Sequence, residues 1–591
     1  MIDRIPPGFI FILGALLVPL LKGNFKKALL LIIPIVGMIN LINLPEGNHT
    51  LLDFLYYKLI LIRVDRLSLL FGYIFHIISF IGFLYALHLD DDLQHVAALV
   101  YAGSALGVVF AGDFFTFFIF WEMLTVSSIF LIWARRTKRS QGAGFRYLLV
   151  HVAGGLCLFA GIILRLYETG SIGFGYIGLN GLSSYLIFFG FGLNCAWPLL
   201  HPWLVDAYPE ATITGTIFMS AFTTKCAVYA LARAFPGTHA LIWIGAVMTA
   251  FPIFYAVIEN DLRRVLSYSL INQVGFMVCG IGIGTHLSLN GAVSHAFNDI
   301  LFKALLFMAM GAVMFRTGRI NATALGGLYK TMPLTCIFCM VGAASISAFP
   351  LFSGFVSKSM VMEAAAEQHM PIIWFILLFA SAGVFHHAGI KIPYFAFFSH
   401  DSGLRPREAP LNMLLAMGVT AFLCIFIGSY PWPLYRLLPY QDVAYNPYSG
   451  SHVIWQTQLL FFSALAFTLL ILSGIYPPEQ RYVNLDIDWI YRKGVPLLLK
   501  VINISLGGIQ SFCHKLFVDG IAKNVAKMSI DGTYRLSLVF LEPLWFIRGI
   551  RGKDLKKKKR EVHRMFQTGT VPLGLKAVIA TIFLIVLLLL I

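Results

Sequence analysis

Ser294-His295-Ala296-Phe297-Asn298-Asp299-Ile300-Leu301-Phe302-Lys303 lies inside an apolar run from about Leu287 to Phe315. The run is long enough to cross about 30 Å of hydrocarbon as a helix. A histidine, an aspartate and a lysine at four-residue steps fall on roughly one side of that helix. Charged groups at that depth are costly, so they mark a site for an ion or a proton. The rest of the chain is read outward from this stretch, as what encloses and feeds it.

The chain has 591 residues, 58% hydrophobic and 12% charged. That composition belongs to a polytopic, all-α membrane protein and excludes a soluble enzyme domain. The net charge of +16 does not point to nucleic acid. Between Tyr476 and Thr570 there are 17 Lys/Arg against 8 Asp/Glu, and other cations sit in short loops such as Ala134–Arg146. This is the pattern of loops facing anionic lipid on the cytoplasmic side. The eight cysteines are scattered apart from Cys336-x-x-Cys339, which lies in an apolar run without a second pair for a metal. Met1-Ile2-Asp3-Arg4 lacks a signal-peptide pattern, so the first apolar run is expected to remain as a membrane helix.

Sixteen runs long enough to span are expected along the chain. The basic loops 22–27, 135–146, 259–264, 316–330 and the segment 476–570 then share one face, with both termini opposite. Two spans are expected to be interrupted. One contains Asn194-Cys195-Ala196-Trp197-Pro198, the other Ala348-Phe349-Pro350-Leu351-Phe352-Ser353-Gly354. Proline removes a backbone donor. Broken backbone at membrane depth survives only against protein or water. Two broken helices five spans apart point to a transporter built from inverted repeats of five helices.

The expected organisation is N-terminal helices over 1–94, a first repeat over 95–234 and a second over 235–398. Additional helices follow over 399–475, then a cytoplasmic-face amphipathic segment over 476–570 and a last helix over 571–591. Gly507-Gly508, Gly532 and Pro543 predict that the amphipathic segment forms several pieces.

Within the spans, each charged residue has a transport reading and a structural one. Glu122 follows a stretch rich in phenylalanine. Desolvation penalises its ionised form, which suits a proton carrier as well as a neutral, hydrogen-bonded side chain. Lys225 lies about ten residues from either end of its span, too deep for easy snorkelling, and would be held charged by a partner such as Glu122. His295, Asp299 and Lys303 form a candidate relay. Lys358 follows the second break, where freed carbonyls can hold a cation or cap a half-helix. Lys391 is close enough to the cytoplasmic end to snorkel. No phosphate-binding loop, dinucleotide fingerprint or iron–sulfur cysteine cluster is present, so no cofactor is expected.

Four stretches together resemble a known family, the antiporter-like proton-translocating subunits of respiratory complex I and of multisubunit sodium/proton antiporters. They are Phe117–Glu122, His201-Pro202-Trp203-Leu204-Val205-Asp206-Ala207, Asp261–Ser269, and His295–Phe307 with Ser353–Lys358 beyond it. Lys225-Cys226-Ala227-Val228-Tyr229 is most similar to the D-type member of those antiporters, in divergent form. The resemblance implies a helix-5 carboxylate at Glu122 and a connecting lysine at Lys225. It implies a central axis of His295 and Lys303, and the helix-12 residue at Lys358. The segment 476–570 with the last helix resembles the lateral element of the family's longest members.

Two departures stand out. The family's helix-7 lysine falls on Asn194, which can relay a hydrogen bond but carries no charge. The second histidine of the central motif falls on Asp299, which adds a carboxylate beside Lys303. His201, Asp206, Asn194 and Lys391 are secondary candidates. The resemblance implies a bacterial inner-membrane subunit that moves protons and a monovalent cation, most simply by Na+/H+ antiport. Its partners would be other membrane subunits and anionic lipid, not nucleic acid. A proton-pumping subunit of an NADH:quinone oxidoreductase or hydrogenase complex is the first alternative, and a non-pumping scaffold or solute-uptake partner the second.

Overall fold

The computed structural model describes residues 5–474, 484–567 and 573–590. The expectations placed on Met1–Arg4, on the start and end of 476–570 and on the ends of 571–591 therefore lie partly outside the described residues. The chain divides into two compact units, Met1–Asp486 and Ile487–Ile591.

In the first unit, α1 (Pro7–Leu17) and α2 (Gly23–Asn43) are followed by a hairpin, β1 (Gly47–Phe54) and β2 (Tyr57–Val64). Then come α3 (Arg66–Ala86), α4 (Asp92–Phe110), α5 (Phe114–Trp133), α6 (Lys138–Thr169) and α7 (Gly181–Asn194). Short α8 (Pro202–Ala207) and α9 (Gly215–Ala221) lead into α10 (Thr223–Ala234). Next are α11 (His239–Ile258), α12 (Leu262–Ile283), α13 (His286–Thr317), α14 (Pro333–Ile346), α15 (Ser353–Glu367) and α16 (Pro371–Val384). A π-helical turn, Phe385–Ile390, joins α16 to α17 (Lys391–Pro393). α18 (Leu411–Ser429), α19 (Trp432–Tyr435) and α20 (Gly450–Leu472) complete the unit. Among the described residues, 12 helices are long and apolar enough to cross a membrane. The chain is an integral membrane protein.

The hairpin corrects the purely helical expectation. Its antiparallel register pairs Gly47 with Val64 and Phe54 with Tyr57 across a Leu55-Tyr56 turn. Tyr57-Lys58-Leu59-Ile60-Leu61-Ile62 is rich in β-branched and aromatic residues, but the run is shorter than a span and reads from sequence as part of a loop. β2 is tied to the bundle where the Ile60 amide donates to Asp113 at 2.7 Å and Gly112 donates to the Ile60 carbonyl at 2.9 Å.

α13 is the axis of the unit. Every residue from Leu287 to Val313 is buried, so this helix has no lipid-facing side. It packs against α12, α14, α15 and α18. A helix enclosed all round is where ionisable side chains can be kept from hydrocarbon.

Both predicted breaks are present and are built alike. α7 stops at Asn194, and Ala196 and Leu199 take positive φ of 58° and 72°. α14 stops at Ile346, and Ala348 and Leu351 take 57° and 74°. In each, an aromatic residue and a proline lie between the two left-handed residues: Trp197-Pro198 and Phe349-Pro350. The aromatic amide closes the turn in each, Trp197 onto the Gly192 carbonyl at 3.2 Å and Phe349 onto Ala344 at 3.0 Å. Non-glycine residues in this region are strained, and such strain collects at functional sites. A second likeness accompanies it. Asp113 caps α5 and bridges to Gly173, while Asp261 caps α12 and bridges to Asn321.

The second unit contains α21 (Asp488–Cys513), a π-helical stretch His514–Ala522, α22 (Lys523–Ile547), α23 (Lys553–Gln567) and α24 (Leu573–Leu590). The expectation of several pieces is corrected here. Residues 488–547 are helical throughout, roughly 90 Å at 1.5 Å per residue. Gly507-Gly508 and Gly532 lower helix propensity without stopping the helix.

Gly354 opens α15 directly beneath the second break, and a Cβ there would come 1.9 Å from the Ser345 carbonyl oxygen. Gly354→Ala is expected to lower stability by about 1–3 kcal/mol, seen as an earlier thermal midpoint in detergent, with Ala366→Gly as the exposed control.

Candidate functional site

The site is assembled where three interrupted or enclosed helices meet. α10 starts at a bend after Phe222, which frees the Ser220 carbonyl. Lys225, on the first turn of α10, donates to that carbonyl at 2.9 Å. Its ammonium also lies 2.5 Å from Asp299 of α13, and both side chains have no exposed surface. This is a fully enclosed ion pair between α10 and α13.

Asp299 is also within electrostatic reach of Lys303 and Lys358. Lys303, two turns from His295 on α13, points its ammonium toward the Leu266 carbonyl at 3.5 Å. Lys358 donates to the Ile346 carbonyl at 2.7 Å, one of the groups freed where α14 ends. It lies 5.2 Å over the Phe276 ring. A cation there is favoured by the half-helix C-terminus and by the ring. His295 Nδ1 is 3.0 Å from the Ser357 hydroxyl, and its Nε2 has no protein partner. The structure thus gathers Lys225, Lys303 and Lys358 around the Asp299 carboxylate, with His295 one turn earlier on α13 and within the field of the three lysines. All three lysines protonated would leave a net of about two positive charges in a volume sealed from water, and each uncompensated ion costs several kcal/mol. The charge states of the lysines are therefore coupled through Asp299.

The suggested Glu122–Lys225 pair is corrected. Glu122 makes no ion pair among the described residues, and its Oε1 packs against Gly155 of α6. The reason is helix placement. α5 lies on α4 and α6, whereas α10 lies on α4, α7, α12 and α13, and Lys225 faces Asp299 of α13. Snorkelling is corrected for Lys391. It is fully buried and donates to the carbonyls of Ala256, Val257 and Glu259 at 3.3, 2.6 and 2.7 Å, closing the end of α11. Asn194 is 1% exposed, and neither atom of its amide has a protein partner. The adjoining Cys195 lies within the field of Lys225. Asp206 accepts from Arg146 through two atoms at 2.6 and 3.0 Å.

Two residues had no sequence signal strong enough to find them. His387 is fully buried on the π-helical turn and lies in the field of Lys303. π-turns collect at functional sites, but the His386-His387 pair alone does not reveal one. Asp486 touches His201 from the far end of the unit, 285 residues away in sequence.

Residues 111–384 match the family model described as NADH:quinone oxidoreductase/Mrp antiporter, transmembrane. They contain Glu122, Lys225 and the whole Asp299 cluster, and the antiporter-like resemblance of the motifs is borne out. Hydrogenase-4 component B of Escherichia coli (strain K12) is 27% identical over 415 residues, 62% of this chain and 62% of that protein. An Na(+)/H(+) antiporter subunit of Alkalihalophilus pseudofirmus is 28% identical, over 62% of this chain and 52% of that protein. The chain spans 40% to 62% of the length of such curated relatives.

A chain in the membrane-bound sulfane sulfur reductase, an archaeal respiratory membrane complex, has the same fold. It aligns with a TM-score of 0.71 at 22% identity, over 92% of this chain and all of that one. A chain of the Mrp complex from Dietzia sp. DQ12-45-1b gives 0.63 at 19% identity, over 74% and 92%.

Breaking the buried pair should cost more than removing it. Asp299→Leu is expected to destabilise the chain by about 3–5 kcal/mol, and adding Lys225→Met should recover much of that loss. Thermal midpoints of the two single variants and the double variant in detergent measure the coupling.

Proposed function

We propose that this chain is the proton- and cation-translocating subunit of a multisubunit complex in a bacterial inner membrane, most simply in Na+/H+ antiport. The observation that carries the proposal is the buried Lys225–Asp299 pair with Lys303 and Lys358 in reach of the same carboxylate. Asp299 can compensate one ammonium well at a time. When Lys225 leaves it, Lys303 or Lys358 takes its place. The lysine left behind loses its proton to the nearest acceptor, and the exchange passes charge along α13. A monovalent cation seated against Asp299 performs the same displacement, which couples cation entry to proton exit.

The matching breaks and matching caps support inverted repeats of five helices, with a half-channel ending at each break. On that arrangement there are sixteen spans, the basic loops face the cytoplasm, and Glu122 carries protons at the flank of the first half. The names of the relatives support both antiport and redox-driven pumping. The second reading, a pumping subunit of a hydrogenase-type or quinone-type complex, is favoured by the full-length fold match to a chain of a respiratory membrane complex. In that case this chain moves the protons and other subunits carry the electrons.

Everted vesicles containing the full chain with its partner subunits separate these readings. Sodium added to energised vesicles is expected to release the proton gradient. Lys303→Ala and Asp299→Asn are each expected to cut that response by roughly tenfold or more. Unchanged flux in both variants would refute translocation through this cluster. Loss of cation-independent pumping instead would assign the chain to a redox complex.

A further inference from the structure

Lys225 is placed by the first turn of α10, and that turn is held from α4. α9 ends at Ala221, and Phe222, with φ −103° and ψ −64°, separates it from α10. In an unbroken helix the Thr223 amide would donate to the Met219 carbonyl and the Thr224 amide to the Ser220 carbonyl. Here the Thr223 amide donates to the Tyr101 hydroxyl of α4 at 3.1 Å. The hydroxyls of Tyr101 and Thr223 are also hydrogen-bonded to each other, at 2.6 Å. The Tyr101 ring packs edge-on against Phe222, 5.2 Å between centroids. One side chain thus holds two consecutive residues of the bend.

The contact continues along both helices. Cys226 Sγ lies 3.9 Å from the Ala105 carbonyl, and the Tyr229 hydroxyl donates to the Val109 carbonyl. Tyr101, Ala105 and Val109 are four residues apart and fall on one side of α4. A second tyrosine approaches the bend from α6. The Tyr147 hydroxyl lies 3.4 Å from the Thr223 hydroxyl and accepts from Ser128 of α5 at 2.9 Å. Tyr101, Ser128, Tyr147 and Thr223 are all buried, so these bonds are made away from bulk water, where each counts for more. The Ser220 carbonyl that the bend frees receives the Lys225 ammonium at 2.9 Å, and the same ammonium lies 2.5 Å from Asp299.

We propose that Tyr101 is a positioning residue for cation exchange at Asp299: its hydroxyl holds the bend between α9 and α10, and the bend keeps the Ser220 carbonyl available to the Lys225 ammonium. The inference rests on the translocation reading above, in which Lys225 leaves Asp299 when a cation is seated there. Without the Tyr101 hydroxyl the bend closes toward a regular helix, and the Thr224 amide takes the Ser220 carbonyl. The Lys225 ammonium then keeps Asp299 as its partner, and an entering cation competes against a tighter pair. Only hydrogen-bond partners change, and no covalent bond is made or broken.

The test uses vesicles carrying the full chain with its partners, in which the initial rate of sodium-dependent proton release is measured over a range of sodium at fixed pH. Tyr101→Phe, which keeps the ring on Phe222 and removes the hydroxyl, is compared with Tyr85→Phe and Asp299→Asn at equal amounts of assembled complex. Tyr101→Phe is expected to raise the apparent KM for sodium roughly fivefold or more, with the rate at saturating sodium within about twofold of wild type. Tyr85→Phe removes an equally buried hydroxyl, bonded to the Met308 carbonyl at 2.8 Å, and should leave that KM unchanged. A wild-type KM in Tyr101→Phe, with Asp299→Asn inactive, overturns the positioning role alone. A lower saturating rate at unchanged KM assigns Tyr101 a purely structural role and also overturns it, as does an equal rise of KM in Tyr85→Phe. If Asp299→Asn keeps its flux, the translocation reading falls and this inference falls with it. Should Tyr101→Phe not assemble, Thr223→Val, which removes the hydroxyl bonded to Tyr101, takes its place: a raised KM there supports the role and a wild-type KM decides against it.

Discussion

Lys225 and Asp299 form an ion pair with no exposed surface, 2.5 Å apart, on α10 and α13. Neither would be tolerated alone at that depth, because an unpaired buried ion costs several kcal/mol. Much of the surrounding architecture keeps this pair dry. α13 is enclosed along its length, so Asp299 never meets hydrocarbon. α10 starts at a bend, so a free carbonyl stands behind Lys225. α14 stops at a break, so another stands behind Lys358. Each of these two lysines thus has a backbone carbonyl beside it.

The two breaks show how local chemistry builds such a place. Alanine and leucine in left-handed conformation are costly at any position, and here they occur twice in the same order around an aromatic-proline pair. The strain is held by bonds from the aromatic amide to the preceding helix and by the enclosing protein. What it gains is two buried half-helix ends, with Asn194 at one and Lys358 on the freed Ile346 carbonyl of the other. The first break lends its interior an uncharged asparagine and a histidine. The second lends a lysine.

Much of this could be read from the sequence. The breaks announced themselves through Pro198 and Pro350. The four-residue spacing of His295, Asp299 and Lys303 placed them on one side of one helix, and the burial of Lys225 followed from its depth in an apolar run. The partner of Lys225 could not be read, because partner choice depends on which faces of α5, α10 and α13 meet, and apolar runs carry little information on rotation about the helix axis. The hairpin was hidden because a short apolar strand resembles a fragment of a span. The continuous helix over 488–547 was hidden because glycines that would stop a short helix are carried by a long one. Asp486 and His387 act through contacts distant in sequence, which no local pattern reports.

The central claim is that one carboxylate is exchanged among several lysines. The most direct measurement is a structure of the assembled complex determined at low and at high proton load, reading the distance from Asp299 to each lysine. The account predicts the Lys225–Asp299 contact closed in one state and opened in the other, with Lys303 or Lys358 moved onto the carboxylate. A pair that stays closed in both states, with Lys303 and Lys358 unmoved while protons are being transported, would contradict it.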